Sequence, residues 1–180
     1  VLFDAWGRQQ QVLGRAQGLI ADHVTDVALY PGGMAVATPA GVTFLDEGGA
    51  RSLYAFHGLV NNHAYTLAGS GGRFLVGTLG GLSILEGGLV RASFTTANSG
   101  LRHNWITGLL PVGTDWFVGT YGAGILRLDE TGLWHAFPDA TAAFEVNPNA
   151  MLASGGRVYA GTLGRGLYVY RRDRDRWVPW

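Results

Sequence analysis

The sequence predicts an all-β chain built as a β-propeller of four-stranded antiparallel blades, and three observations predict it. One phrase, a short apolar strand, a threonine, a glycine turn and a second apolar strand, occurs four times: MAVATPAGVTFL at Met34 to Leu45, FLVGTLGGLSIL at Phe74 to Leu85, WFVGTYGAGILRL at Trp116 to Leu128 and VYAGTLGRGLYVY at Val158 to Tyr170. Its threonines, Thr38, Thr78, Thr120 and Thr162, are spaced by 40, 42 and 42 residues, the period of propeller blades. Nothing in the 180 residues has the 3.6-residue periodicity of a long amphipathic helix.

Four complete blades and one half blade can be placed in order. Residues 1–17 read as the second half of a blade, with Val1 to Asp4 aligning with the strand after the glycine turn and Gln11 to Ala16 as an outer strand. Blade one, residues 18–57, carries strand signals at His23 to Tyr30, Met34 to Thr38, Gly41 to Leu45 and Ser52 to His57. Blade two, 58–99, has His63 to Ala68, Arg73 to Thr78, Gly81 to Leu85 and Leu89 to Thr95. Blade three, 100–143, has Trp105 to Val112, Asp115 to Thr120, Gly124 to Asp129 and Leu133 to Phe137. Blade four, 144–180, has Asn149 to Ala153, Arg157 to Thr162, Gly166 to Tyr170 and Arg176 to Trp180. The second strand of each unit is apolar on both faces, as in Phe74, Leu75 and Val76, which suits a strand sandwiched between neighbouring sheets. Aromatic residues in the outer segments, Tyr54, Phe56, Phe94, Trp134, Phe137 and Trp177, suit the wider rim. Such an arc leaves an apolar sheet face at each end, so the chain reads as a fragment of a larger propeller.

Composition narrows the partners. Thirteen basic and thirteen acidic side chains give no net charge, which argues against nucleic acid, because phosphate binding needs a basic surface. The alternating run Arg171 to Arg176 reads as a solvated hairpin tip, with a small anion or protein contact as the alternative. The absence of cysteine excludes disulfides and thiolate-held metals. No apolar run approaches the ~18 residues of a membrane span, so no membrane contact is expected of this segment. The chain begins at Val1 without a leader pattern, so either a leader has been removed or the chain is an internal piece, and the repeat count favours the second.

Gly58 to Phe94 runs G-L-V-N-N-H-A-Y-T-L, then G-G-R-F-L-V-G-T-L-G-G-L-S-I-L-E, then an aromatic strand. This resembles the two-component regulator propeller repeat, whose pattern is G-L-x-x-N-x-V-x-x-I, a glycine turn, L-W-I-G-T-x-x-G-L and an aromatic end. Gly18-Leu19 with Asp22, Val24 and Val27, and Gly100-Leu101 with Asn104, Ile106 and Leu109, fit the same offsets. Blade four departs, with Phe144-Glu145 in place of Gly-Leu and Pro148 in place of the Asn. The resemblance implies a propeller of about seven blades serving as the extracytoplasmic, periplasmic input domain of a bacterial sensor kinase or related regulator, joined to further blades and a signalling module.

The loop before each inner strand and the turn after the second strand open on one face, the default binding site of a closed β structure. Asp22, Asn62 and Asn104 recur at one offset and suit turn-fixing bonds to backbone amides, and the four threonines suit the same role. The next position diverges to His23, His63, Trp105 and Asn149, as a site built on a repeated scaffold requires. Two histidines without His-x-His or His-x3-His spacing make a poor metal site, leaving hydrogen bonding to a ligand or simply to water. Tyr121 and Arg165 interrupt small turns, and Arg102 and His103 sit in the loop leading into blade three. Together they suit a sugar or carboxylate-bearing ligand through stacking and bidentate bonds, or packing against the next blade. Catalysis would need Asp139 with Glu145 as a carboxyl pair; no nucleophile elbow is present. The expected function is noncatalytic recognition of a small molecule or glycan without cofactor or metal. The alternatives are a protein-interaction scaffold and, less favoured, a propeller lyase or glycosidase.

Overall fold

The computed structural model describes residues 1–137 and 144–180, and in it the four phrases form the second and third strands of four antiparallel sheets. A two-stranded pair, β1 (Leu2–Phe3) and β2 (Gln9–Gln11), precedes them. Blade one is β3 (Asp26–Tyr30), β4 (Gly33–Thr38), β5 (Gly41–Asp46) and β6 (Gly49–Leu53). Blade two is β7 (Ala64–Ser70), β8 (Arg73–Thr78), β9 (Leu82–Glu86) and β10 (Leu89–Phe94). Blade three is β11 (Ile106–Val112), β12 (Asp115–Thr120), β13 (Ile125–Leu128) and β14 (Trp134–Ala136). Blade four is β15 (Val146–Ser154), β16 (Arg157–Thr162), β17 (Leu167–Arg171) and β18 (Arg176–Pro179). Each sheet meanders in chain order, innermost strand first.

The repeated threonine closes the turn between the second and third strands. Its Oγ1 donates to the carbonyl of Gly41, Gly81, Gly124 or Gly166. It also accepts from the N–H of Ala40, Gly80, Ala123 or Arg165. The recurrent Asx residues anchor the connection between blades: the Oδ1 atoms of Asp22, Asn62 and Asn104 accept from the backbone N–H of Arg15, Ala55 and Thr96 at 2.7, 2.6 and 2.8 Å. This bond explains a departure from the expected strands. The outer strands end at Gln11 and Leu53, and Arg15–Gln17 and Ala55–His57 form single 3-10 turns instead of continuing the sheet. Gly58, at φ 97°, ends the second of these turns in the left-handed region that favours glycine. The following Leu19, Leu59 and Leu101 are buried. Phe56, expected to pack on the rim, stands 86% exposed on its turn.

The core consists of three layers between blades. Phe74 and Val76 of β8 pack with Ala35, Val42 and Phe44 of blade one. Leu75, between them in sequence, packs with Ile106, Trp116 and Val118 of blade three. A strand that feeds two layers must be apolar on both faces; each such residue stabilises by about 1.5–3 kcal/mol. The third layer joins blades three and four through Phe117, Phe137, Tyr170 and Trp177, with ring centroids 4.9–6.2 Å apart and mostly edge to face. At the two ends, Val27 and Leu29 on blade one and Leu152 and Trp180 on blade four are exposed.

Blade four differs at its inner strand. In blades two and three one extra residue, Tyr65 or Thr107, bulges where the strand begins. In blade four Val146 faces Thr162 but Met151 faces Ala160, so three extra residues are accommodated. The strand therefore starts at Val146 and not at Asn149, and Glu145, not Asn149, stands where Trp105 and His63 stand in their blades.

Candidate ligand-binding face

The loop leading into each inner strand and the threonine turn lie at the same end of the blade, and in blades two, three and four they are bonded together; in blade one Pro39 stands at the donor position and has no N–H to give. Leu79 N–H donates to His63 C=O, Tyr121 N–H to Trp105 C=O and Leu163 N–H to Glu145 C=O, at 3.0, 3.0 and 2.9 Å. Each pairing brings a residue of the loop beside a residue of the turn. In blade three both are aromatic: Trp105 and Tyr121 stack with centroids 4.2 Å apart and planes 13° from parallel.

Further rings flank this stack on both sides, tilted 47° and 45° to it. Tyr65, the bulge residue of blade two, lies 5.2 Å from Trp105 and stacks on His63 at 4.6 Å with nearly parallel planes. His103 lies 6.3 Å from Tyr121 on the other side. His63, Tyr65, Trp105, Tyr121 and His103 thus form a continuous ladder of five half-buried rings across two blades. Backbone bonds fix its rails: His63 N–H donates to Asn61 Oδ1 at 2.8 Å and Trp105 N–H to His103 Nδ1 at 3.1 Å. Gly122 leaves room for the His103 imidazole, since a Cβ there would lie 3.1 Å from its Cδ2. Among the described residues the covered Trp105 indole N–H has no acceptor, and its stack on Tyr121 holds the ring.

The other sequence-derived candidates are placed differently. Arg102 is exposed beside His103. His23 and Arg165 are exposed on blades one and four, outside the ladder. Asn149, at φ 55°, projects to the axis, where its Nδ2 donates to the carbonyls of Thr25 at 3.1 Å and Tyr65 at 3.4 Å. It ties blade four to blades one and two. Glu145 is exposed on this face, while Asp139, its expected acidic partner, lies outside the described residues. Among the described residues no three His, Cys, Asp or Glu side chains gather as metal ligands.

Two residues at this centre escape sequence reasoning. Tyr65 follows His63 by two, a spacing that reads as ordinary strand alternation until the bulge turns it toward the loop face. Asp26 opens β3 at the position held by Thr66 and Gly108 in blades two and three. Its Oδ1 accepts from Val27 N–H at 2.8 Å and its Oδ2 from Leu67 N–H at 2.7 Å, so it occupies an amide on the free edge of β7. It borders an axial cavity of about 170 Å³ with Asn149 and Thr66. Burial raises its carboxyl pKa above the ordinary 3.8, against the lowering effect of those amide bonds.

No family model matches the chain, and no curated protein matches it. Among solved structures it is similar to the extracellular domains of two hybrid two-component systems of B. thetaiotaomicron. For BT3049 the TM-score is 0.76 at 19% identity over 94% of this chain and 26% of that one. For BT4673 it is 0.75 at 21% identity over 98% and 24%. An ancestral GH74 enzyme is similar at TM-score 0.66 and 19% identity, over 88% of this chain and 24% of that one. The chain thus spans about a quarter of each of these proteins. At such identities the likeness establishes a shared architecture: the chain is an all-β array of propeller blades.

Proposed function

We propose that the chain is the ligand-recognising part of a noncatalytic, extracytoplasmic sensing propeller, and that it takes a small glycan across the ladder from His63 to His103. The observation that carries this reading is the continuous run of five rings on the loop face. Sugar rings present apolar C–H faces that lie on aromatic planes, and the exposed Arg102 beside the ladder supplies donors for their hydroxyls. The similarity to two extracellular sensor domains supports the reading, as does the repeat pattern in blades one to three. Binding would order the loops 57–63 and 99–105 against rigid sheets, and the difference in contact energy would bias an attached signalling module. Further blades would cover the exposed faces at Val27 and Leu29 and at Leu152 and Trp180.

Calorimetric titration of an oligosaccharide panel against the native chain, Trp105→Ala and Tyr121→Ala tests the assignment. Affinity should fall at least about tenfold, or 1.4 kcal/mol, with the fold retained. Equal affinity in all three proteins refutes this site. A second reading, a protein-interaction scaffold, is favoured by Phe56, which stands exposed on its 3-10 turn beside Tyr54 and His57. It predicts a protein partner whose binding is lost in Phe56→Ala and retained in Trp105→Ala.

A further inference from the structure

On the face opposite the ladder, a cleft of about 530 Å³ opens between blades one and two. The turns β3–β4, β7–β8 and β9–β10 wall it, and its volume is that of a small-molecule site. The floor is aromatic: Tyr30, Phe44 and Phe74 meet edge to face at 5.6, 5.3 and 6.3 Å. Glycine turns at Gly71, Gly72, Gly87 and Gly88 keep the mouth free of side chains.

The wall carries two charges. Arg51 lies over the Phe44 ring at 5.2 Å and donates through Nη1 to the carbonyl of Gly88 at 3.1 Å, reaching from blade one to blade two. Among the described residues no carboxylate pairs with it. Asp46 accepts from the Tyr30 hydroxyl at 3.1 Å and from Gly48 N–H at 2.8 Å, and no cation among the described residues pairs with it. Arg73, also in the wall, is by contrast neutralised by Glu86 at 3.0 Å. An anion alone would meet Asp46 and a cation alone would meet Arg51. The complementary ligand carries both charges on an apolar body.

We propose that this cleft binds an apolar α-amino acid, its carboxylate on Arg51, its ammonium on Asp46 and its side chain on Phe44 and Phe74. Because Arg51 spans the two blades, the occupant is held by both. The site is independent of the ladder and of the glycan reading.

The test titrates the chain with three probes, L-phenylalanine, 3-phenylpropanoate and phenethylamine, followed by NMR. L-Phenylalanine should saturate with a Kd on the order of 1 mM, and each singly charged analogue should bind about tenfold more weakly. Arg51→Gln should weaken L-phenylalanine by about tenfold and leave phenethylamine unchanged, while Asp46→Asn, which retains an acceptor for Gly48 and Tyr30, should bring 3-phenylpropanoate closer to L-phenylalanine. Trp105→Ala should leave all three probes unaffected. Absence of saturable L-phenylalanine binding, or equal binding of the three probes by the native chain, overturns the proposal without reference to any variant. So does unchanged L-phenylalanine affinity in Arg51→Gln.

Discussion

The inner strands of blades three and four start from the same scaffold and put it to different uses. In blade three a single extra residue separates the loop from the regular ladder, so Trp105 stays beside its threonine turn and stacks on Tyr121. In blade four three extra residues carry Asn149 into the left-handed region and toward the axis, where it bonds Thr25 and Tyr65. One blade presents a ring to the outside; the other fastens the arc from within. The length of the bulge, more than the residue that follows the recurrent Asx, decides which of the two occurs.

Several substitutions would break or sharpen that contrast. The largest effect is expected at Trp177, wholly buried in the aromatic layer that joins blades three and four. Trp177→Ala should cost about 3–5 kcal/mol in denaturant unfolding. If blade four were only loosely appended, the loss would be much smaller. Trp105→Ala should cost about 2 kcal/mol of ligand affinity and about 1 kcal/mol of stability through its lost contacts with Tyr121 and Tyr65, well below the loss in Trp177→Ala. Asn149→Ala should cost about 2 kcal/mol of stability, combining two lost bonds with a Cβ-bearing residue that lacks a local polar group in the left-handed region. Asn149→Gly should recover roughly half of that, and neither change should alter ligand affinity. An affinity loss in Asn149→Gly matching that of Trp105→Ala would erase the distinction between platform and fastener.

The smallest effects are in pH dependence, where two carboxylates act in opposite senses. Burial raises the Asp26 pKa above 3.8, so between 3.8 and that raised value the folded state binds more protons and stability increases as pH falls. Asp129 is lowered chiefly by the hydrogen bond from His135 and also by Thr131, so its contribution is present above 3.8 and is lost as pH falls below it. Unfolding curves from roughly pH 6 to pH 3 should therefore steepen on the acid side in Asp26→Asn and flatten in Asp129→Asn. The same change of slope in both variants would contradict these assignments.

Most of the fold is legible because each repeated residue has a local task that its chemistry announces. The threonine must close a turn, the glycine must end a 3-10 turn, and the second strand must be apolar on both faces to feed two layers. The site is less legible. Trp105, Tyr121, His63 and His103 sit at repeat offsets where the scaffold leaves side chains free, so divergence from the repeat picks them out. Tyr65 and Asn149 depend on bulges of different length, and a bulge changes direction without changing composition. Asp26 fills an amide at a free strand edge, a need that appears only when neighbouring sheets are set side by side. The opposite cleft is likewise invisible until Arg51 of β6 is seen to reach Gly88 of the next blade.

The six tryptophans, at 6, 105, 116, 134, 177 and 180, provide the most direct measurement. Their indole N–H resonances report separately on the loop face, the second and third layers and the ends of the chain during an oligosaccharide titration. The account predicts that Trp105 shifts saturably, while Trp116 in the second layer and Trp177 in the third stay in place. A titration in which Trp105 remains still while another indole moves would contradict the ladder as the binding face.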